Sequence, residues 1–402
     1  LFPYTTLFRS VVSAEGTPSF NNCDATGLLR PDLGQAWIHG VDVWAQPLEA
    51  KRRVGVLADG VRTFDRLTGA QLVTYAGLLH GLDADTVAER TTEDTLEGSL
   101  QSAIWDDEIV SVPFWANTQL LWYRKSVAEA AGLDMTQPVT WEQIITAAKD
   151  QDKYLGVQGV QGESMTVWVN SLVESAGGSI VKGDPASVDT LELALDSEAG
   201  GKAAGIVGTI GEEGLGGPGI DTQDENAAME QFRGENGSFM VNWPFIYSAT
   251  QGAVAEGSVE QSVMDDIAWT TWPRVDADTP SAPPLGGINL GVGEKSEYQD
   301  LAWDAISCIT TTEHQSQYFV ENGNPPADPA AYDAPEVAEK YPMADTIRES
   351  LELGAPRPQT PYYNEVSTAI QQRYAPPSGV SESTPAETDD FIQEVLRGER
   401  LL

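Results

Sequence analysis

Basic residues are scarce in this 402-residue chain: 23 Lys and Arg, only 8 of them Lys, stand against 61 Asp and Glu. The net charge of −38 creates a field that repels nucleic acid and anionic lipid, so neither is expected as a partner. Cysteine occurs twice, as Cys23 and Cys308. They are far apart in sequence, with no CxxC or metal spacing, and indicate neither redox chemistry nor a disulfide framework. The three histidines, His39, His80 and His314, make no HExxH or similar ligand spacing, and no metal or other cofactor is expected. No GxSxG nucleophile elbow occurs. Gly291-Val-Gly-Glu-Lys295-Ser296 superficially resembles a P-loop, but the required spacing fails. No run of 18 apolar residues is present, so no membrane span is expected.

What the chain does have is enough apolar residue, 41%, to pack a core over a length that suits two or three domains or one two-lobed protein. An acidic, Lys-poor surface also suits concentrated salt, where self-repulsion is screened. A halophilic source is expected, the alternative being an ordinary acidic secreted protein.

The charge is not evenly spread. Residues 1–70 hold 7 acidic and 7 basic residues, so the whole −38 falls on residues 71–402. Residues 1–10, Leu-Phe-Pro-Tyr-Thr-Thr-Leu-Phe-Arg-Ser, resemble the translation of a sequencing adapter and are expected to be an artefact outside the fold. Residues 11–70 lack a clear period of either kind. They are either a genuine segment of different charge or a stretch read in a shifted frame.

From residue 71 the pattern is that of an α/β protein. A capped acidic helix is predicted over 84–103, followed by a hairpin-like strand pair from Ile104 to Pro113 around Asp106-Asp107. Gln119–Tyr123 reads as an apolar strand and 126–132 as a helix stopped by Gly132. Thr140 can cap the next helix, with Trp141 in its first turn. Helices are predicted over 164–175, 197–211, 224–233, 298–311, 364–374 and 386–398, and strands over 238–242 and 286–292. Short strands alternating with helices argue for mostly parallel sheets flanked by helices.

Four segments carry a resemblance. The first is Val112-Pro113-Phe114-Trp115-Ala116-Asn117-Thr118-Gln119-Leu120-Leu121-Trp122-Tyr123-Arg124-Lys125, with Ala131-Gly132-Leu133 and Pro138–Glu142 after it. The second is Phe232-Arg-Gly234 with Phe239-Met240-Val241-Asn242-Trp243-Pro244-Phe245. The third is Leu285-Gly286-Gly287-Ile288-Asn289-Leu290, then Gln315 and Gly323-Asn-Pro325-Pro326. The fourth is Arg357-Pro358-Gln-Thr360-Pro361-Tyr362-Tyr363 with Ser367. In this order they resemble the family 1 extracellular solute-binding proteins of sugar ABC importers, the fourth segment pointing to the trehalose- and maltose-binding branch.

The resemblance implies a two-lobed periplasmic-binding-protein fold with a ligand cleft and a hinge that the chain crosses repeatedly. The N-terminal lobe would hold 71–115 and 286–330, and the C-terminal lobe 116–285 and 331–402. It implies a monomer that closes on a trehalose- or maltose-like sugar and delivers it to the membrane subunits of an ABC permease. It also implies an extracytoplasmic place, in the periplasm or lipid-anchored at the cell surface. The chain is expected to be truncated at its N-terminus, since the first acidic sugar contact of the family cannot be placed within 11–70.

The residues fit that chemistry on their own terms. A neutral sugar needs flat aromatic surfaces for its C–H faces and rigid polar groups for its hydroxyls. Of 11 Trp and 12 Tyr, Trp243 and Phe245 flank Pro244 directly after an apolar strand, and are expected as platforms in a stiff turn; the alternative for Trp243 is core. Asn117 can donate and accept, or else serve a turn. Arg357 can present its donor fork to adjacent hydroxyls, or form a surface ion pair. Gly287 permits close backbone approach beside Ile288 and Asn289; the resembled branch often carries Trp where this chain has Ile288. Glu163 matches a cleft-facing loop of the family, or is an exposed acid. The rivals are a glycoside hydrolase, which needs two carboxylates flanking a cleft, and a sensory or adhesion domain on the same fold. No paired-acid motif singles out the former.

Overall fold

The computed structural model describes residues 95–105, 108–183 and 187–402, together with the backbone of three short strands before them. Those strands, β1 (Val12–Glu15), β2 (Gln35–Ile38) and β3 (Val41–Asp42), pair antiparallel in that order. The adapter-like residues, most of 11–94, Cys23, His39, His80 and Asp106-Asp107 lie outside the described residues.

Of the helix predicted over 84–103, the described part is helical only as α1 (Glu97–Gln101). The Ser102 hydroxyl donates to the Ser99 carbonyl at 2.7 Å and closes the last turn. The expected hairpin follows as β4 (Ile104–Trp105) against β5 (Glu108–Ile109). Val112 and Pro113 belong instead to a longer strand, β6 (Val112–Thr118).

After β6 come β7 (Leu120–Arg124), α2 (Lys125–Ala130), α3 (Trp141–Asp150), β8 (Tyr154–Gly156), α4 (Glu163–Ser175), β9 (Val181–Gly183) and β10 (Leu191–Leu193). Then follow α5 (Glu198–Glu212), α6 (Glu225–Arg233), β11 (Gly237–Asn242), α7 (Phe245–Ala255), α8 (Gln261–Asp266), β12 (Ile267–Thr270) and β13 (Leu285–Leu290). The rest is helical: α9 (Gln299–Ile309), α10 (Thr312–Asn322), α11 (Pro335–Lys340), α12 (Ala344–Leu353), α13 (Tyr363–Tyr374) and α14 (Thr384–Leu396).

Two compact units result. One holds residues 1–93 and 290–314, and α9 is its main described helix. The other, residues 94–289 and 315–402, is built on a four-stranded sheet in the order β12-β7-β11-β8. Here the expectation of mostly parallel pairing needs correction. Only β8 and β11 are parallel, while β7 is antiparallel to both β11 and β12. A parallel pair needs a helical crossover between its strands, and α4 to α6 supply one between β8 and β11. β7 alone runs against the other three strands and separates β12 from β11, so the sheet is mixed within an α/β unit.

Strand alternation builds a core on each side of that sheet. Leu121, Phe239 and Val241 point into one cluster, with α3, α4, α5, α13 and α14. Leu120, Trp122 and Met240 point into the other, with α6, α12 and the segment around Tyr332 and Tyr341. All six residues of β11 are buried, as expected for a strand covered on both faces.

Local signals place the helices. Thr140 and Gln143 form a reciprocal capping box at the start of α3. The Ser197 and Asp224 side chains accept from Gly200 and Ala227 N–H groups and start α5 and α6. Trp141, Ile144, Ala147 and Ala148 then form the buried stripe of α3.

Much of the aromatic content is core. Trp122, Trp141, Trp168 and Trp272 are fully buried. Trp141 stands 6.1 Å from Trp168 and 5.8 Å from Trp272, ring centre to centre. These rings are therefore unavailable to a solute.

Candidate functional site

The eight candidate residues all lie in the second unit, in two groups. The first group forms where β11, β6 and β13 end or pair. Asn242, fully buried at the end of β11, donates through Nδ2 to the Glu225 carbonyl at 2.9 Å. Its Oδ1 accepts the Trp243 backbone N–H at 2.9 Å. One buried amide thus fixes how the chain leaves the sheet and where the Trp243 ring begins. The ring is only partly buried. Its Cη2 and Cζ3 lie 3.3 Å from the point that a Cβ on Gly286 would occupy, and Asn117 Cβ lies 3.7 Å from that same point. Asn117, Trp243 and Gly286 are therefore neighbours.

Gly287 has φ 125°, and a Cβ there would come 2.2 Å from the Trp115 carbonyl oxygen. Only glycine fits this crossing of β13 and β6. Ile288 is 48% exposed. Asn289 is exposed too, but its Nδ2 already donates to the Ser102 carbonyl and hydroxyl at 3.2 and 3.0 Å. The Asn117 Oδ1 accepts from the Thr118 N–H at 3.1 Å, the contact of a residue that also shapes its own backbone.

Phe245 differs from the expected stiff turn. Pro244 has helical angles, φ −61° and ψ −19°, and caps α7, so Phe245 is the first residue of a helix. Proline is tolerated at a helix start because the N–H it lacks would be unsatisfied there. Phe245 stands 37% exposed.

The second group centres on Glu163. The expected loop residue is the first residue of α4, where the helix dipole favours an acid. Its Oε1 accepts from Arg357 Nη1 at 2.8 Å and from the Tyr363 hydroxyl. Its Oε2 accepts from the Ser367 hydroxyl at 2.6 Å and from Gln371 Nε2 at 3.5 Å. Ser367 is held in turn by Thr166, whose hydroxyl lies at 2.9 Å, and by Gln371 Nε2, also at 2.9 Å. Burial first, and then the Glu163 carboxylate beside it, push the Tyr363 phenol up from its ordinary value.

Two of the predicted residues, Glu163 and Arg357, are thus bonded to each other. Tyr363, Ser367 and Gln371 were not among the candidates. Their spacing of four residues along α13 carries the signal, since it places three polar side chains on one helical stripe. The two groups grow from adjoining chain: Pro284 and Ala355 form a parallel bridge, and the Ala355 N–H donates to Pro283 O at 3.0 Å. Nothing in either group resembles a metal site, and no cluster of three or more His, Cys, Asp or Glu able to hold an ion exists among the described residues.

Comparison with known proteins agrees with this architecture. The profile of the bacterial extracellular solute-binding proteins matches residues 58–316. A probable ABC transporter-binding protein of Deinococcus radiodurans is 26% identical over 399 residues, covering 91% of this chain and 90% of its own. Among solved structures, maltose-bound MalE3 of T. maritima superposes with a TM-score of 0.63 at 23% identity, over 80% of this chain and 81% of that one. A solute-binding protein of Agrobacterium radiobacter K84 in complex with ribitol superposes with a TM-score of 0.62 at 20% identity, over 81% and 83%. The two-lobed periplasmic-binding-protein fold is common to these structures and to this chain.

Proposed function

This chain belongs to the bacterial extracellular solute-binding proteins, and on that premise we propose that it captures a maltose- or trehalose-like sugar by hinge closure and passes it to an ABC permease. The family consists of binding proteins, not enzymes, and works outside the cytoplasm. The observation that carries the reading is the half-buried Trp243 ring, fixed by Asn242, open beside Gly286 and next to the Asn117 amide. A flat aromatic surface beside an amide suits the C–H face and the hydroxyl rim of a neutral sugar. Phe245, Gly287, Ile288, Asn289 and Arg357 complete the proposed solute face, with Glu163 bonded to Arg357. Ligand drives closure only through its tighter binding to the closed state.

A second reading concerns solute size. The exposed Ile288 stands where the resembled branch often has a stacking Trp, and so favours a smaller solute, a monosaccharide or a polyol. A lipid-anchored monomer adapted to high salt completes the proposal; the salt adaptation rests on the net charge of −38.

The test is a titration with trehalose, maltose, glucose and ribitol in high-salt buffer, followed by tryptophan fluorescence. A saturable change without sugar breakdown, lost in Trp243→Ala, supports the reading and ranks the solutes. Silence with all four overturns it.

A further inference from the structure

Four donors converge on one carboxylate in the second group. An ionised carboxylate offers about four lone-pair positions. Arg357 Nη1 and the Tyr363 hydroxyl take those of Glu163 Oε1, and Ser367 and Gln371 take those of Oε2. Each oxygen thus already accepts from two protein donors, the Gln371 contact at 3.5 Å being the longest. The donors come from two separate stretches, the 356–358 segment and α13, and Glu163 joins both to the start of α4, beside the Thr166–Ser367 and Asn170–Pro356 hydrogen bonds. The geometry therefore speaks against Glu163 as a direct solute contact, although it was a candidate for one.

We infer that Glu163 is a positioning residue: it holds the Arg357 guanidinium and the Tyr363 phenol in place and leaves the solute to them. This rests on the reading of the group as part of the solute face. With Glu163 holding one edge, Arg357 keeps N–H groups free to donate. The Tyr363 hydroxyl donates its O–H to Glu163, and its oxygen is left to accept. A donor fork and an adjacent acceptor match the two roles of a sugar hydroxyl. Glu163 also cancels the charge of Arg357 at 2.8 Å, so this corner offers no net charge and suits an uncharged polyhydroxylated solute over a sugar acid. Ser367, locked by Thr166 and Gln371, keeps the carboxylate itself from turning.

The test is a double-mutant cycle on maltose affinity with the full chain, using Glu163→Gln, Arg357→Gln and both together. If Glu163 acts through Arg357, each single change lowers affinity about tenfold, the loss of a hydrogen bond to a charged group. The double variant is then no weaker than the weaker single. Losses that multiply in the double variant overturn the inference, because they mean that Glu163 meets the solute itself. A lower melting temperature with unchanged affinity overturns it too, leaving only a structural role. If the wild type does not bind maltose, the maltose reading fails separately. A crystal structure of solute-free Glu163→Gln then decides: Arg357 and Tyr363 displaced supports positioning, and both in place overturns it.

Discussion

The Trp243 ring lies 3.3 Å from where a Cβ on Gly286 would stand. The absence of a side chain at Gly286 therefore gives the ring its place. A methyl there forces a shift of a few tenths of an ångström, and the two branches of valine require the ring to leave. Gly286→Val is expected to lower sugar affinity about tenfold, or about 1.4 kcal/mol. Because the site is at a strand edge, the melting temperature should change little. Fluorescence titration beside a thermal melt checks both; unchanged affinity would refute the platform role.

Gly287 carries a different constraint. Its φ of 125° and the 2.2 Å approach to the Trp115 carbonyl oxygen involve backbone that cannot move aside. Gly287→Ala should cost about 1–3 kcal/mol through strain alone and depress the melting temperature by roughly 2–10 °C. Differential scanning calorimetry reads this directly.

Asp389 gives a pH dependence. Burial pushes its carboxyl up to about 6, although the Asp196 N–H donates to it at 2.8 Å. A carboxyl raised in the folded state disfavours ionisation there. Its contribution to stability is full below the ordinary carboxyl range near 4 and is lost as pH rises through about 6. The difference is up to about 3 kcal/mol. Asp389→Asn should flatten that part of the stability profile between pH about 4 and about 7. Denaturant melts of both proteins across the window check the sign; a parallel pair of profiles would refute it.

The net charge of −38 predicts a salt response. Ion pairs such as Lys149–Glu213 at 2.8 Å lie at the surface and contribute little. Self-repulsion is long-ranged at low ionic strength and is screened within about 10 Å at 0.1 M salt. The melting temperature should rise from about 0.1 M to about 3 M sodium chloride. A flat or falling curve would argue against adaptation to salt.

Sequence alone determined the features that depend on near neighbours in the chain. Thr140, Ser197 and Asp224 announce their helices because a cap is a contact over three residues. The apolar run ending at Asn242 announces a covered strand because burial on both faces removes alternation. Pro244 misled for the same reason: a stiff turn and a helix start share the same φ, and only the chain beyond Phe245 tells them apart. Tertiary structure decided what depends on residues far apart in sequence. Trp141, Trp168 and Trp272 are core because Trp141 of α3 meets both Trp168 of α4 and Trp272 of the loop that follows β12. Glu163 is spoken for because Arg357 and α13, about two hundred residues later, supply its donors. A carboxylate's role is set by which donors surround it, and no local pattern of residues records that.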